Sequence, residues 1–170
     1  DPGAPPFDIG RAIALQGFSL AEAAPLTTGM GQLVVNPQAV LERIYYWTAG
    51  QPFLTQKLCQ LVVAQAGAAA SVGKSLTATW VDQLVQTRVL DRWELQDEPV
   101  HLRIIRDRLL WDDELVGRRL DLCQQLLAKG EIEPQGHRCE TDLLLSGLVS
   151  RQSGRLRIKN RIYAQVFNLQ

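Results

Sequence analysis

Residues 147–167 read GLVSRQSGRLRIKNRIYAQVF, and their reading decides the fold. Gly147-Leu148-Val149-Ser150 and Leu156-Arg157-Ile158-Lys159 each suit a short strand. Ser153-Gly154 between them has the composition of a tight hairpin turn. Asn160 then predicts an N-cap for a last helix through Phe167, because its side-chain oxygen can accept from unpaired amides of a first helical turn. Upstream, the apolar spacing predicts three helices. The first is opened by Pro99 and carries Leu102, Ile105, Leu109 and Leu110. The second runs from about Asp113 to Lys129 and is stopped by Gly130. The third is short, near Glu140 to Ser146, after the loop EIEPQGH. Three helices and then a hairpin is the order of a winged helix, expected over residues 96–170.

Toward the N-terminus the pattern differs. Residues 1–9, DPGAPPFDI, read as a linker. Ala12 to Leu15 suits a short strand, and Ser19-Leu20-Ala21-Glu22 has the capping-box spacing of a helix that stops before Pro25. Asn36 and Pro37 open a helix whose stripe is Val40, Leu41, Ile44, Tyr45 and Trp47 and whose end is Gly50. Pro52 starts the next at once, with Phe53, Leu54, Leu58, Leu61 and Val62 along one side. After the loop GAAASVGKS, a helix from Thr79 to Leu90 turns Trp80, Leu84, Val85 and Val89 inward. The polar stretch Asp91 to Pro99 is the expected boundary, so residues 10–95 form a helical bundle and the whole chain is mainly α.

Composition bounds the function. The chain has 170 residues, 46% hydrophobic and 21% charged, so it folds rather than staying disordered. Eighteen basic residues cancel eighteen acidic ones, without the excess expected of a dedicated nucleic-acid binder. No apolar run is long enough for a membrane span, and no signal-peptide pattern is visible, which predicts a cytoplasmic location. The chain begins at Asp1 and its one methionine is Met30, so a processed chain or a fragment is expected. Cys59, Cys123 and Cys139 lack metal or redox spacing and read as buried hydrophobes. His137 beside Cys139 supplies too few ligands for zinc, and no metal is expected.

Catalytic signals are missing. Gly73-Lys74-Ser75 ends like a phosphate-binding loop, but Ala68 stands where that loop needs glycine. His101 reads as a packing or capping residue, and Asp112-Asp113-Glu114 as acids favoured at a helix N-terminus. No catalytic residue, and no cofactor held by this chain alone, is therefore expected.

The corner WTAGQPFLTQKLCQLV, residues 47–62, resembles the helical lid of AAA-like signalling ATPases related to the STAND group, common in cyanobacterial multidomain proteins. FDIGRAIALQGFSLAEAAPL, LDRWELQDEPVHLRIIRDRLL and LLLSGLVSRQSGRLRIKNRIYAQVF look similar to the same family. The resemblance implies a lid-like bundle followed by a winged helix, acting as a nucleotide-dependent switch and protein-interaction element. It implies a parent protein whose P-loop core binds ATP or ADP with Mg and is this chain's partner. Gly50 and Pro52 would then lie beside adenine. Lys159 and Asn160 match the place of a phosphate-sensing Met-His-Asp motif, with lysine for histidine and asparagine for aspartate. Two alternatives stay open. One is a DNA-binding winged helix using Arg151, Arg155, Arg157, Lys159 and Arg161 on residues 151–161, which carry no acid. The other is an adaptor that binds only proteins.

Overall fold

The computed structural model describes residues 16–31, 33–70, 78–111 and 113–168. The expected linker, the strand at Ala12 to Leu15 and the Gly73-Lys74-Ser75 loop lie outside them. Within them the chain is mainly helical, with one antiparallel hairpin near its C-terminus.

Ser19 makes the expected capping box: its side chain accepts from the Glu22 amide while the Glu22 carboxylate accepts from the Ser19 amide. The α-helix it starts, α1 (Leu20–Ala23), stops before Pro25 as expected, but the chain stays helical. It tightens into a 3₁₀ segment, Ala24–Met30, whose first turn tolerates proline because no amide is needed there. Asn36 caps α2 (Pro37–Thr48) by accepting from the Ala39 amide at 3.0 Å. Then follow α3 (Pro52–Ala70), α4 (Ala78–Val85) and a π-turn, Gln86–Leu90. In α4 it is Val81 that is fully buried, and Trp80 lies only partly in the core. A short helix α5 (Trp93–Gln96) occupies the stretch expected as a boundary.

The second half follows the predicted order. It comprises α6 (Leu102–Leu110), α7 (Asp113–Lys129), α8 (Arg138–Ser146), β1 (Val149–Gln152), β2 (Arg155–Ile158) and α9 (Arg161–Val166). Ser153 and Gly154 both take positive φ, 49° and 79°, which matches the twist of a two-residue hairpin. Ile132, expected in a loop, pairs with Leu156 through two backbone hydrogen bonds and adds a third, one-residue rung beside the hairpin. The buried carboxylate of Glu140 shapes that loop by accepting from the Gln135 and Gly136 amides at 2.7 and 3.0 Å.

The buried side chains of both halves belong to one contiguous core. The seam between them is aromatic. The His101 ring stacks on Phe53 of α3 with centroids 4.5 Å apart, and its Nε2 lies 2.7 Å from the Tyr163 hydroxyl of α9. Trp93 and Phe167 meet edge-on at 6.0 Å, and the Arg161 guanidinium sits 4.0 Å above the Tyr46 ring. His101 itself does not cap α6. The buried Asp97 does, its Oδ2 accepting from the His101 and Arg103 amides at 3.0 and 2.8 Å. The three cysteines are free and buried, as expected, and burial pushes the thiols of Cys59 and Cys123 up to about 11 and about 12. No helix among the described residues is long and apolar enough to cross a membrane.

Burial holds the His101 imidazole below its ordinary range; Lys57 and Lys159 push the same way, and Asp97 opposes them. The unfolded chain therefore takes up this proton first as pH falls below about 6.5. Above that pH the neutral ring contributes fully; below it stability is lost as pH falls through the depressed folded value. Thermal unfolding of wild type and His101→Gln, followed from neutral to mildly acidic pH, checks this. The wild type is expected to lose stability more steeply, and parallel curves would contradict it.

Candidate functional site

The basic wing is where nucleic acid was expected to bind. Two of its five cations are paired with carboxylates within the protein. Arg155 donates to Glu133 at 2.9 Å and lies 3.4 Å from Glu131, and Arg157 pairs with Glu131 as well. Arg161 is taken up by Tyr46, and Lys159 donates its backbone amide to Leu148 at 2.9 Å. Arg151 stands exposed on β1, and among the described residues neither its guanidinium nor the Lys159 ammonium has a carboxylate partner. Phosphate binding by such a wing depends on several free cations releasing counterions together. Glu131 and Glu133, from the segment that pairs with the hairpin, remove two of them. Arg155 and Arg157 are thus not free for phosphates, which weakens the alternative of a DNA-binding wing.

The corner at Gly50 and Pro52 is closed. Ala49 and Gly50 take left-handed conformations, with φ 46° and 73°, and end α2. Gln51 then caps α3, its side-chain oxygen accepting from the Leu54 amide at 2.6 Å. Thr48 and Thr55 join hydroxyls at 2.8 Å beneath the corner. Phe18 lies across it, its amide donating to the Gly50 carbonyl at 2.8 Å. A Cβ added at Gly50 would stand 1.9 Å from the Phe18 carbonyl oxygen. No space for an aromatic ring remains against this glycine. Asn160 is spent on α9, accepting from the Tyr163 amide at 2.9 Å. Gly50 and Asn160 thus serve locally, the first in a left-handed helix end and the second as a helix N-cap.

A different feature lies on the other face of the second half. The inward residues of α6 are Leu102, Ile105 and Leu109, which leaves Ile104, Arg108 and Trp111 outward at helical spacing. On α8, Cys139, Leu143 and Ser146 turn inward, leaving Arg138, Asp142 and Leu145 on the opposing stripe. The two stripes border a groove of about 480 Å³. Trp111 is 77% exposed and Leu145 71% exposed. The Arg108 guanidinium caps the end of α8 by donating to the Leu145 carbonyl at 2.9 Å, and Arg119 donates to the Arg108 carbonyl at 3.0 Å. Sequence periodicity marked the inward residues of α6 but did not single out Trp111. The signal was the same periodicity read for its complement.

A larger hollow of about 920 Å³ lies between α7 and residues 131–140. Three of its acids are already engaged, Glu131 and Glu133 by the wing arginines and Glu140 by loop amides. Among the described residues no three His, Cys, Asp or Glu side chains gather as a metal set.

No family model matches the chain, and no solved structure matches it. It is similar to an uncharacterized WD repeat-containing protein of Synechocystis, with 45% identity over 167 residues. The match covers 97% of this chain and 14% of the relative, so the chain spans about a seventh of that protein's length. This overturns the assignment to AAA-like, STAND-related ATPases, and the nucleotide-switch reading that rested on it. A WD repeat builds a four-stranded blade. The described residues hold one two-stranded hairpin among helices and form no array of blades.

Two outcomes are expected. Gly50→Ala should destabilise the protein by about 2 kcal/mol or more, because left-handed backbone and a carbonyl contact both oppose a side chain; thermal or urea unfolding measures this. The wild-type chain should show no saturable binding to duplex DNA at about 50 mM salt. In the same titration Glu131→Gln/Glu133→Gln, which frees Arg155 and Arg157, should gain affinity.

Proposed function

We propose that this chain is a noncatalytic protein-interaction module, with the α6–α8 groove as its docking face. One observation carries the reading: Trp111 and Leu145 line the same groove of a folded unit and leave most of their surface in water. Large apolar side chains exposed together and rimmed by polar groups mark interaction surfaces. Tryptophan and arginine, which meet here, are the residue types that dominate binding energy at interfaces. The relative's name as a WD repeat-containing protein agrees with this, since repeat arrays are assembly scaffolds with extended binding faces. The finer partners expected at first, a P-loop core and its nucleotide, are not part of the proposal.

Trp111→Ser/Leu145→Ser tests it. Both residues are exposed, so the variant should keep the wild-type melting temperature to within a few degrees. Used as baits against proteins of the source organism, wild type should retain partners that the double variant loses. Partners held equally by both baits would overturn the assignment of the docking face.

A further inference from the structure

The groove between α6 and α8 also specifies the chemistry of what fills it. Its lining holds Arg108, Arg119 and Arg138 against a single acid, Asp142. Among the described residues neither Arg108 nor Arg138 pairs with a carboxylate, while the arginines at positions 43, 103, 106, 155 and 157 do. Arg138 opens α8 and is exposed. Arg108 spends one nitrogen on the Leu145 carbonyl, which fixes the guanidinium beside Leu145 and leaves further donors on its fork. Arg108 of α6 and Trp111 just past its end line one side of the groove, and Arg138, Asp142 and Leu145, at helical spacing on α8, line the other. Two such stripes form the walls of a trough that accepts a helix laid along it.

We propose, building on the docking face assigned above, that its occupant is an acidic amphipathic helix of a protein partner. Such a helix carries apolar residues at i, i+3 and i+7 to cover Trp111 and Leu145 and flanking glutamates or aspartates to meet Arg108 and Arg138. Charge complementarity selects acid over base. The apolar pair at the centre selects a peptide over a phosphate backbone, which has nothing apolar to offer there. The outward positions of α8 support the same choice: Thr141 and Leu145 beside Arg138 lack the set of donors needed to read base edges.

The test uses three synthetic helical peptides of about four turns. The first has a leucine stripe flanked by glutamates, the second the same stripe flanked by lysines, and the third the glutamate composition with the leucines dispersed. Binding is read by fluorescence anisotropy of labelled peptide and by backbone amide shifts of the isotope-labelled 170-residue chain. The glutamate peptide should bind saturably, shift amides of α6 and α8, and weaken as salt rises. Trp111→Ser/Leu145→Ser should lower its affinity about tenfold or more. Arg108→Glu/Arg138→Glu should transfer the preference to the lysine peptide. Unchanged melting temperatures keep each variant interpretable.

Lysine-flanked peptide binding equally well on the same residues would overturn the acidic occupant and leave the docking face standing. Equal binding of the dispersed peptide would overturn the helical occupant. A duplex DNA or anionic vesicles shifting the same amides, with no peptide doing so, would overturn a protein occupant altogether. Absence of any peptide-dependent shift in α6 and α8 would overturn the proposal, and the bait comparison then decides separately whether the face docks anything.

Discussion

The ring of His101 is the joint on which the molecule turns. It lies between Phe53 of one half and Tyr163 of the other, stacked on the first and hydrogen-bonded to the second. Its backbone is fixed from behind by the buried Asp97, which simultaneously starts α6. Tyr163 in turn belongs to the helix that Asn160 caps at the foot of the hairpin. A short chain of contacts therefore runs from the α2–α3 corner through His101 to the wing. Neutral imidazole is what allows it: the ring sits out of water, where a charge is poorly solvated, beside Lys57 and Lys159. The aromatic contacts of Trp93 with Phe167 and of Tyr46 with Arg161 flank this joint and widen it into a seam.

The wing shows why a fold does not carry a function with it. Its backbone has the helix-helix-helix-hairpin order, and its sequence has the run of cations that would suit phosphates. The glutamates that cancel that run lie more than twenty positions upstream, on the rung that Ile132 makes with Leu156. A linear reading sees the cations as a block because the acids are distant in sequence. Folding puts the two sets on neighbouring strands, where the pairs are partly exposed and each adds little stability. Their larger effect is on the field outside the protein, which they flatten.

Much of the architecture was legible because it rests on local chemistry. Asn36 with Pro37, Pro52, Asn160 and Ser153-Gly154 are all signals that a few neighbouring residues settle among themselves. The elements that were missed depend on distant partners or on marginal local preference. Ile132 pairs only because Leu156 is there, and α5 is a single short turn within a polar stretch. The stop of α1 before Pro25 holds, but the 3₁₀ segment whose first turn takes that proline was not foreseen. The groove was less legible still. An apolar residue that stays outside looks, in sequence, like one that goes inside; Leu143 is buried and Leu145, two positions on, is not. The contact over Gly50 is illegible for a related reason: Phe18, which lies across it, comes from more than thirty residues away.

The burial of the three thiols gives the protein a built-in clock for its own opening. Cys59 sits in the first half, Cys123 and Cys139 in the second, and all three are buried in the folded state. A thiol-trapping reagent can modify each one only after the surrounding helices part, and the high pKa of Cys59 and Cys123 slows reaction by the unopened form further. Trapping rates resolved by site therefore distinguish a molecule that breathes as one body from one whose halves separate at the seam first. In the first case all three sulfurs share one rate of exposure; in the second, the half that loosens earlier is the half that is labelled earlier.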